Sequence, residues 1–164
     1  IGQCENDIVI WDVLSGEVLE SFRHDGLEDF ELSSLSPDGR YITLESWCDL
    51  YLFDLRDREI LWHFDSFRPE FAPREVEGEF ELEGEFFSFD IESVSWSPDG
   101  KFIAISGRDL SLRILDASNG DVLFDTGPRA NSSMVISWSP SGRYIADFIP
   151  SFEVLDISLW EVIP

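Results

Sequence analysis

The sequence predicts an all-β protein made of repeated four-stranded antiparallel sheets. A turn motif flanked by short β-branched and aromatic runs occurs three times, at residues 35–41 (LSPDGRY), 96–102 (WSPDGKF) and 138–144 (WSPSGRY). In such a turn proline fixes φ and glycine supplies a positive φ, so each motif predicts a hairpin between two strands. No ten-residue window shows a convincing helical period of apolar residues. The repeated unit is therefore built from strands.

A second repeated pattern gives the period of the unit. It begins at Val9 (VIWDVLSGEVL), Tyr51 (YLFDLRDREIL), Leu112 (LRILDASNGDVLF) and, more weakly, Phe152 (FEVLDISLWEVI). The aspartates predicted to close the third strand of each unit are Asp12, Asp54, Asp116 and Asp156. Their spacings are 42, 62 and 40 residues. A period of about 40–45 residues is that of one propeller blade, and the long interval is one blade plus an insertion of roughly 20 residues.

Together these patterns resemble the WD-repeat family of β-propellers, especially its degenerate members. Trp11-Asp12 is the one intact dipeptide; the matching pairs are Phe53-Asp54, Leu115-Asp116 and Leu155-Asp156. The resemblance covers nearly the whole chain except about residues 66–90. It implies blades of four antiparallel strands and a role in binding rather than chemistry. It also implies a structural aspartate seven residues before each closing aspartate, a slot that Asp109 alone fills, with Glu5, Trp47 and Ile149 at the corresponding positions.

Counting strands from a (innermost) to d (outermost) predicts part of a single propeller. A c strand near 7–12 and a d strand near 18–22 are followed by full blades at about 30–64 and 91–124. A last unit runs from about 134 to the end without a clear d strand, and the a and b strands of the first blade are absent. We therefore expect residues 1–164 to form about 3–4 blades, with an acidic insertion at about 66–90 and the remaining blades supplied by a longer chain or a partner. Closure as a four-bladed ring with one defective blade is the alternative.

The insertion contains the most unusual segment, in which glutamates alternate with mostly apolar residues. These glutamates are Glu75, Glu77, Glu79, Glu81, Glu83 and Glu85. A period of two places all six carboxylates on one face of an extended segment. This acidic ribbon either grips a basic partner or is a solvated hairpin that lays its apolar face on a neighbouring blade. The acidity of the rest of the chain weakens the argument for one dedicated patch.

The charge balance restricts the partners. The chain has 34 acidic and 11 basic residues, a net charge of −23, and Lys101 is its one lysine. Nucleic acid and anionic membrane are poor partners for such a surface, whereas a protein with a basic surface is favoured. A halophilic source is a further interpretation, supported by the single lysine and opposed by equal numbers of glutamate and aspartate. No calcium loop is present, so no metal is expected.

Catalytic and cofactor motifs are not found. Neither a nucleophile elbow nor a phosphate loop is present, so we expect no enzyme activity and no cofactor. Cys4 and Cys48 are predicted to be free thiols. Trp96 and Trp138 are 42 residues apart, which places them at equivalent sites in consecutive blades and favours packing between blades over a ligand cage. The residues predicted to be structural are Trp11, Asp12, Asp54, Trp96, Asp109, Asp116, Trp138 and Asp156.

The function class follows mainly from the resemblance. It favours a protein–protein interaction scaffold or sensor module in a larger protein. Because the Ser-Pro-Asp-Gly repeats also resemble other propellers, the alternative is an accessory propeller of a prolyl-oligopeptidase-like hydrolase or of a TolB-like translocation component. A hydrolase elbow downstream would favour that alternative. With no signal peptide and no apolar run of about 18 residues, a cytoplasmic location is expected.

Overall fold

The computed structural model describes residues 2–4, 7–23, 30–46, 49–65, 91–107, 111–127, 135–150 and 155–162. These residues contain fourteen strands and no helix. The prediction of an all-β fold is therefore confirmed. Within the same residues, no helix long and apolar enough to cross a membrane is found.

The strands form four separate antiparallel sheets, each a meander in which sequence neighbours pair. The first sheet holds β1 (Gly2–Cys4), β2 (Asp7–Trp11) and β3 (Val18–Arg23). The second holds β4 (Glu31–Leu35), β5 (Tyr41–Ser46), β6 (Asp49–Asp54) and β7 (Glu59–Asp65). The third holds β8 (Ile91–Trp96), β9 (Phe102–Gly107), β10 (Leu112–Asp116) and β11 (Val122–Asp125). The fourth holds β12 (Val135–Trp138), β13 (Tyr144–Pro150) and β14 (Leu155–Glu161).

The sheets stack through their innermost strands, β4 against β8 and β8 against β12. The backbone N–H groups of Ile136 and Trp138 donate to Ser93 Oγ at 3.2 Å and Ser95 Oγ at 3.0 Å. Because residues two apart in β12 contact residues two apart in β8 in the same order, the two strands run in the same direction. Equivalent turns of successive sheets therefore lie on the same side of the stack.

Three apolar cores lie between successive sheets. The first contains Ile8, Phe22, Ile42, Leu44, Phe53 and Leu55. The second contains Leu50, Leu52, Trp96, Ile103, Ile105, Leu115 and Ala117. The third contains Ala104, Leu112, Ile114, Ile136, Trp138 and Ile145. Each inner sheet thus buries both faces, since alternate residues of a strand point to opposite neighbours.

Trp96 and Trp138 occupy equivalent positions in the third and fourth sheets. Trp96 pairs with Ile103 at the end of β8, and Trp138 pairs with Ile145 at the end of β12. Both indoles are 7% exposed and each lies in a core between two sheets. In the second sheet the same place is taken by Leu35, which is 43% exposed.

Two sequence predictions about the strands need correction. The first sheet has a b strand, since β1 pairs with β2 over Gly2–Cys4; three residues without a turn motif give too weak a pattern to recognise. Asp156 does not close the third strand of the last unit. It is the second residue of β14, opposite Ile149, whereas Glu161 stands opposite Tyr144 as Asp54 stands opposite Tyr41.

The corrected register changes the last repeat. Its strand-closing pair is Trp160-Glu161, in line with Trp11-Asp12, and the interval from Asp116 becomes 45 residues. The misalignment arose because 154–156 (VLD) imitates 114–116 (ILD), while β13 is one residue longer than β9. The insertion at 66–90 lies outside the described residues, so its place in the domain stays a prediction.

Candidate interaction surface

One side of the stack is formed by two sets of turns, which together we call the turn rim. The a–b turns lie at 36–40, 97–101 and 139–143, and the c–d turns at 12–17, 55–58 and 117–121. In the second and third sheets the two kinds of turn are hydrogen-bonded to each other. The N–H of Leu55 donates to Arg40 O at 2.9 Å, and that of Ala117 to Lys101 O at 2.9 Å. These bonds hold the rim loops at fixed positions.

The a–b turns of the second and third sheets share a side-chain arrangement. Ser36 Oγ donates to Asp38 Oδ1 at 2.6 Å and accepts the N–H of Tyr41 at 2.8 Å. The N–H of Arg40 donates to the same carboxylate oxygen at 3.1 Å. The hydrogen bond from Ser36, helped by that from Arg40, holds the pKa of Asp38 below its usual value. Gly39 takes the positive φ, 73°, that the turn requires.

The c–d turns begin at the closing aspartates, which cap them. Asp12 Oδ1 accepts the N–H of Ser15 at 2.7 Å, and Asp116 Oδ1 accepts the N–H of Ser118 at 2.8 Å. The hydrogen bonds from these serines lower the pKa of both carboxyl groups. Each aspartate thus satisfies N–H groups that the tight turn leaves without a strand partner.

Among these closing aspartates, Asp54 accepts the most hydrogen bonds. Its Oδ1 accepts the N–H groups of Arg56 and Asp57 at 2.8 and 3.1 Å, and Oδ2 accepts Arg40 Nε and Nη2 at 3.0 and 2.8 Å. Its side chain is 1% exposed. Burial acts to raise the pKa of Asp54, but these hydrogen bonds outweigh it and the pKa is lowered.

Neighbouring sheets are connected across the rim by side chains of the d strands. Trp62 of β7 donates its indole N–H to Ala117 O of the third sheet at 2.9 Å. Glu20 of β3 accepts a hydrogen bond from Arg58, whose guanidinium carbon lies 4.7 Å from the ring centre of Phe22. These contacts fix the rotation of one sheet against the next.

A groove of about 1140 Å³ opens between the third and fourth sheets and reaches the rim. Its apolar wall includes Leu123, Phe124 and Trp160, and its polar edge includes Arg143 and Glu161. Phe124 pairs with Ile114 as Trp62 pairs with Leu52, so it holds the place of Trp62 one sheet further on. Its ring is about half exposed, 48%, and faces the groove. The groove can accommodate apolar side chains beside a paired acid and base.

Within the described residues, His63 is the one histidine. The ring of His63 stacks on Tyr51 with centroids 4.6 Å apart, and its Nε2 lies 3.4 Å from Asp49 Oδ2. Burial raises the pKa of Tyr51. These contacts link β6 to β7. In the part of the chain that is described, no three His, Cys, Asp or Glu side chains are grouped so that they could hold a metal ion.

The predicted site residues fall in three places. Asp12, Asp54 and Asp116 lie at c–d turns, and Trp96 and Trp138 lie in the cores. Trp11 ends β2 and is 36% exposed, while Asp156 lies near the start of β14. The others lie outside the described residues: Asp109, Glu75, Glu77, Glu79, Glu81, Glu83 and Glu85. The acidic ribbon therefore stays a prediction.

Sequence reasoning missed the basic residue that follows each turn glycine. Arg40 binds Asp54, and Arg143 donates through Nε and Nη2 to Glu161 at 2.8 and 2.6 Å. Lys101, at the same position in the third sheet, pairs with Asp99 at 3.5 Å. The recurrence of a base at this place was a usable signal. The acidic partner of Arg143 was not recognised in the sequence, because the last repeat closes with glutamate instead of aspartate.

Comparison with known proteins supports one kind of repeat. A family model described as "Anaphase-promoting complex subunit 4 WD40 domain" matches residues 79–141, which include the whole third sheet. The matched residues are thus similar to WD-type propeller repeats. "Protein tipD" of Dictyostelium discoideum is 28% identical over 166 residues, covering 98% of this chain and 24% of that protein. The chain thus spans about a quarter of the length of this curated relative. The four antiparallel sheets, together with the family match, identify the fold as part of a propeller whose blades are these sheets.

Proposed function

We propose that this chain is a protein–protein interaction module, part of the propeller of a longer scaffold or sensor protein. The observation that carries the proposal is the hydrogen-bonded turn rim, held by three cores between blades and presenting exposed side chains at fixed positions. WD40 domains are typically non-catalytic modules that mediate protein–protein interactions. Rigid loops on a packed scaffold suit selective binding, because little conformational entropy is lost when a partner docks.

The partner proposed here is a protein with a basic surface. A net charge of −23 attracts such a surface and repels nucleic acid and anionic lipid. The matching family is named for a subunit of a multiprotein complex, which supports assembly with other proteins as the setting. The remaining blades come from a longer chain or from the partner, and we propose a cytoplasmic location on the sequence pattern alone.

The test uses two matched charge variants of the full-length protein. Glu79→Gln with Glu81→Gln removes two charges from the acidic ribbon; Glu17→Gln with Glu59→Gln removes two exposed charges from the c–d turns and β7. Proteins that copurify with wild type from its own cells are identified by mass spectrometry, and the most enriched one is purified. Its association rate is then measured at low and high salt.

The ribbon variant should associate several-fold more slowly at low salt and show a flatter salt dependence, since charge steering acts on the association rate and is screened by salt. The control variant should change the rate less. If both variants slow association equally, the partner is attracted by the overall negative charge of the protein and not by the ribbon. A salt-independent rate, unchanged in both variants, would reject a basic partner. Hydrolase activity in the purified full-length protein would favour the accessory-propeller alternative.

A further inference from the structure

Ser141 stands where the two preceding blades have an aspartate. The three a–b turns read Ser36-Pro37-Asp38-Gly39, Ser97-Pro98-Asp99-Gly100 and Ser139-Pro140-Ser141-Gly142. In the first two, the carboxylate accepts the preceding serine hydroxyl at 2.6 and 2.7 Å. It also accepts the N–H of the residue after glycine, at 3.1 and 3.2 Å. In both blades, therefore, the third residue of the turn places a negatively charged group beside these two donors.

The electrostatics of the two complete turns agree with this. The serine hydroxyl and the backbone N–H group, in that order of strength, lower the pKa of both Asp38 and Asp99 against the opposing effect of burial. In the fourth blade the same donors face a neutral hydroxyl. Ser139 Oγ and Ser141 Oγ lie 3.1 Å apart, and the N–H of Arg143 reaches Ser141 Oγ at 3.3 Å.

The surroundings of Ser141 can receive a larger anion. Its side chain is exposed and lies at the mouth of the groove between the third and fourth blades. Arg143, two residues on, is 63% exposed. A guanidinium carries five N–H donors, so Arg143 can serve Glu161 and a second anion at the same time.

We propose that Ser141 is a phosphorylation site, and that the phosphoryl group supplies the anion that the fourth a–b turn lacks. A protein kinase with a nucleoside triphosphate provides the reaction. Ser141 Oγ bonds to the γ-phosphorus, the bond from that phosphorus to the β-phosphate oxygen breaks, the nucleoside diphosphate leaves, and the hydroxyl proton passes to a base of the kinase. The added group carries about −1.5 to −2 charge and lies beside Ser139 Oγ–H and the N–H of Arg143.

The physical test is to incorporate phosphoserine at position 141 of the full-length protein during translation. Hydrogen exchange at the amide of Arg143 should slow by about tenfold, because its hydrogen bond to a neutral hydroxyl is replaced by a charge-assisted one. Ser141→Asp should reproduce part of this effect and Ser141→Ala none. The reverse change, Asp99→Ser, should speed exchange at Lys101. As control, phosphoserine at Ser118, whose hydroxyl donates to Asp116, should speed local exchange through like-charge repulsion.

The biological test is occupancy. The protein is purified from its own cells with phosphatase inhibitors, and the tryptic peptide of residues 130–143 is fragmented to locate phosphate among its serines. Phosphate on Ser141 is the expected result. Complete coverage of the peptide with Ser141 unmodified would overturn the proposal. So would exchange at Arg143 that is unchanged or faster with phosphoserine at position 141.

Discussion

Three residues at equivalent places in the c–d turns have a left-handed backbone. Two of them are glycines and the third is an arginine. Gly16, Arg58 and Gly120 have φ of 71°, 57° and 78°. A side chain in this conformation costs about 1–2 kcal/mol, which glycine avoids. Arg58 accepts the cost at a place where its guanidinium binds Glu20 and covers Phe22 in the blade before. At this position a strained backbone thus accompanies a contact between blades.

Gly120 is constrained further by its neighbour. A Cβ added there would lie 2.9 Å from Trp62 Cε3, whereas one added at Gly16 would have nothing within 4 Å. Gly16→Ala should therefore cost about 1 kcal/mol of unfolding free energy, the backbone term alone. Gly120→Ala should cost about 2–4 kcal/mol, because the indole must also move. Denaturant unfolding of both variants checks this. Equal losses would show that Trp62 yields without cost.

At the scale of single elements, hairpins with strong turn chemistry could be predicted and weaker ones could not. The hairpin of β4 and β5 follows from Ser-Pro-Asp-Gly, whose proline and glycine fix the turn. β1 has three residues and no such signal. β14 was predicted in the wrong register because its closing residue is Glu161, and only the pairing with Tyr144 reveals the equivalence. Turn residues therefore place a hairpin, while register depends on partners that are distant in sequence.

The outer strand β7 is hydrogen-bonded to the next blade by the indole of Trp62. Trp62→Phe keeps most of the ring contact with Gly120 and removes the hydrogen bond to Ala117 O. We expect a loss of about 1 kcal/mol, since the buried carbonyl loses a partner. Trp11→Phe, the same change at a more exposed indole, should stay within a few tenths of a kcal/mol. Thermal and urea melts of the two variants provide the comparison, and a larger loss at Trp11 would contradict it.

At the scale of the molecule, the repeat predicted which residues pack between blades but not which ones form an ion pair within a blade. The spacing of Trp96 and Trp138 was enough to place both between blades. Arg113 gave no signal, yet it is 2% exposed and lies 3.1 Å from Asp125 across the paired strands. The period of the sequence repeat identifies equivalent positions in successive blades. It does not show at which of these positions one blade has an ion pair where another has apolar packing. Such substitutions need the neighbouring strand to be known.

Charge sets the stability of the whole chain in two opposing ways. A net charge of −23 at pH 7 produces self-repulsion, which protonation of ordinary carboxyl groups relieves as the pH falls towards their pKa values near 4. The capping aspartates act in the other direction. Five have a lowered pKa in the folded protein: Asp12, Asp38, Asp54, Asp99 and Asp116. Each stabilises the fold above its unfolded pKa of about 3.9 and loses that contribution as pH falls through its lower folded value.

The two effects predict an unusually acidic optimum of stability. The melting temperature of the full-length protein should rise from pH 7 to about pH 4–5, because repulsion fades while the aspartate caps stay ionised. It should fall below about pH 4 as the caps are protonated. Circular dichroism melts of dilute samples at about 0.02 and 0.5 M salt separate the two causes, since salt screens repulsion between exposed charges far more than bonds made by buried Asp54. High salt should flatten the rise and leave the acid fall. A rise that persists unchanged at high salt would contradict the role assigned to repulsion, and stability retained to pH 2 would contradict the role assigned to the caps.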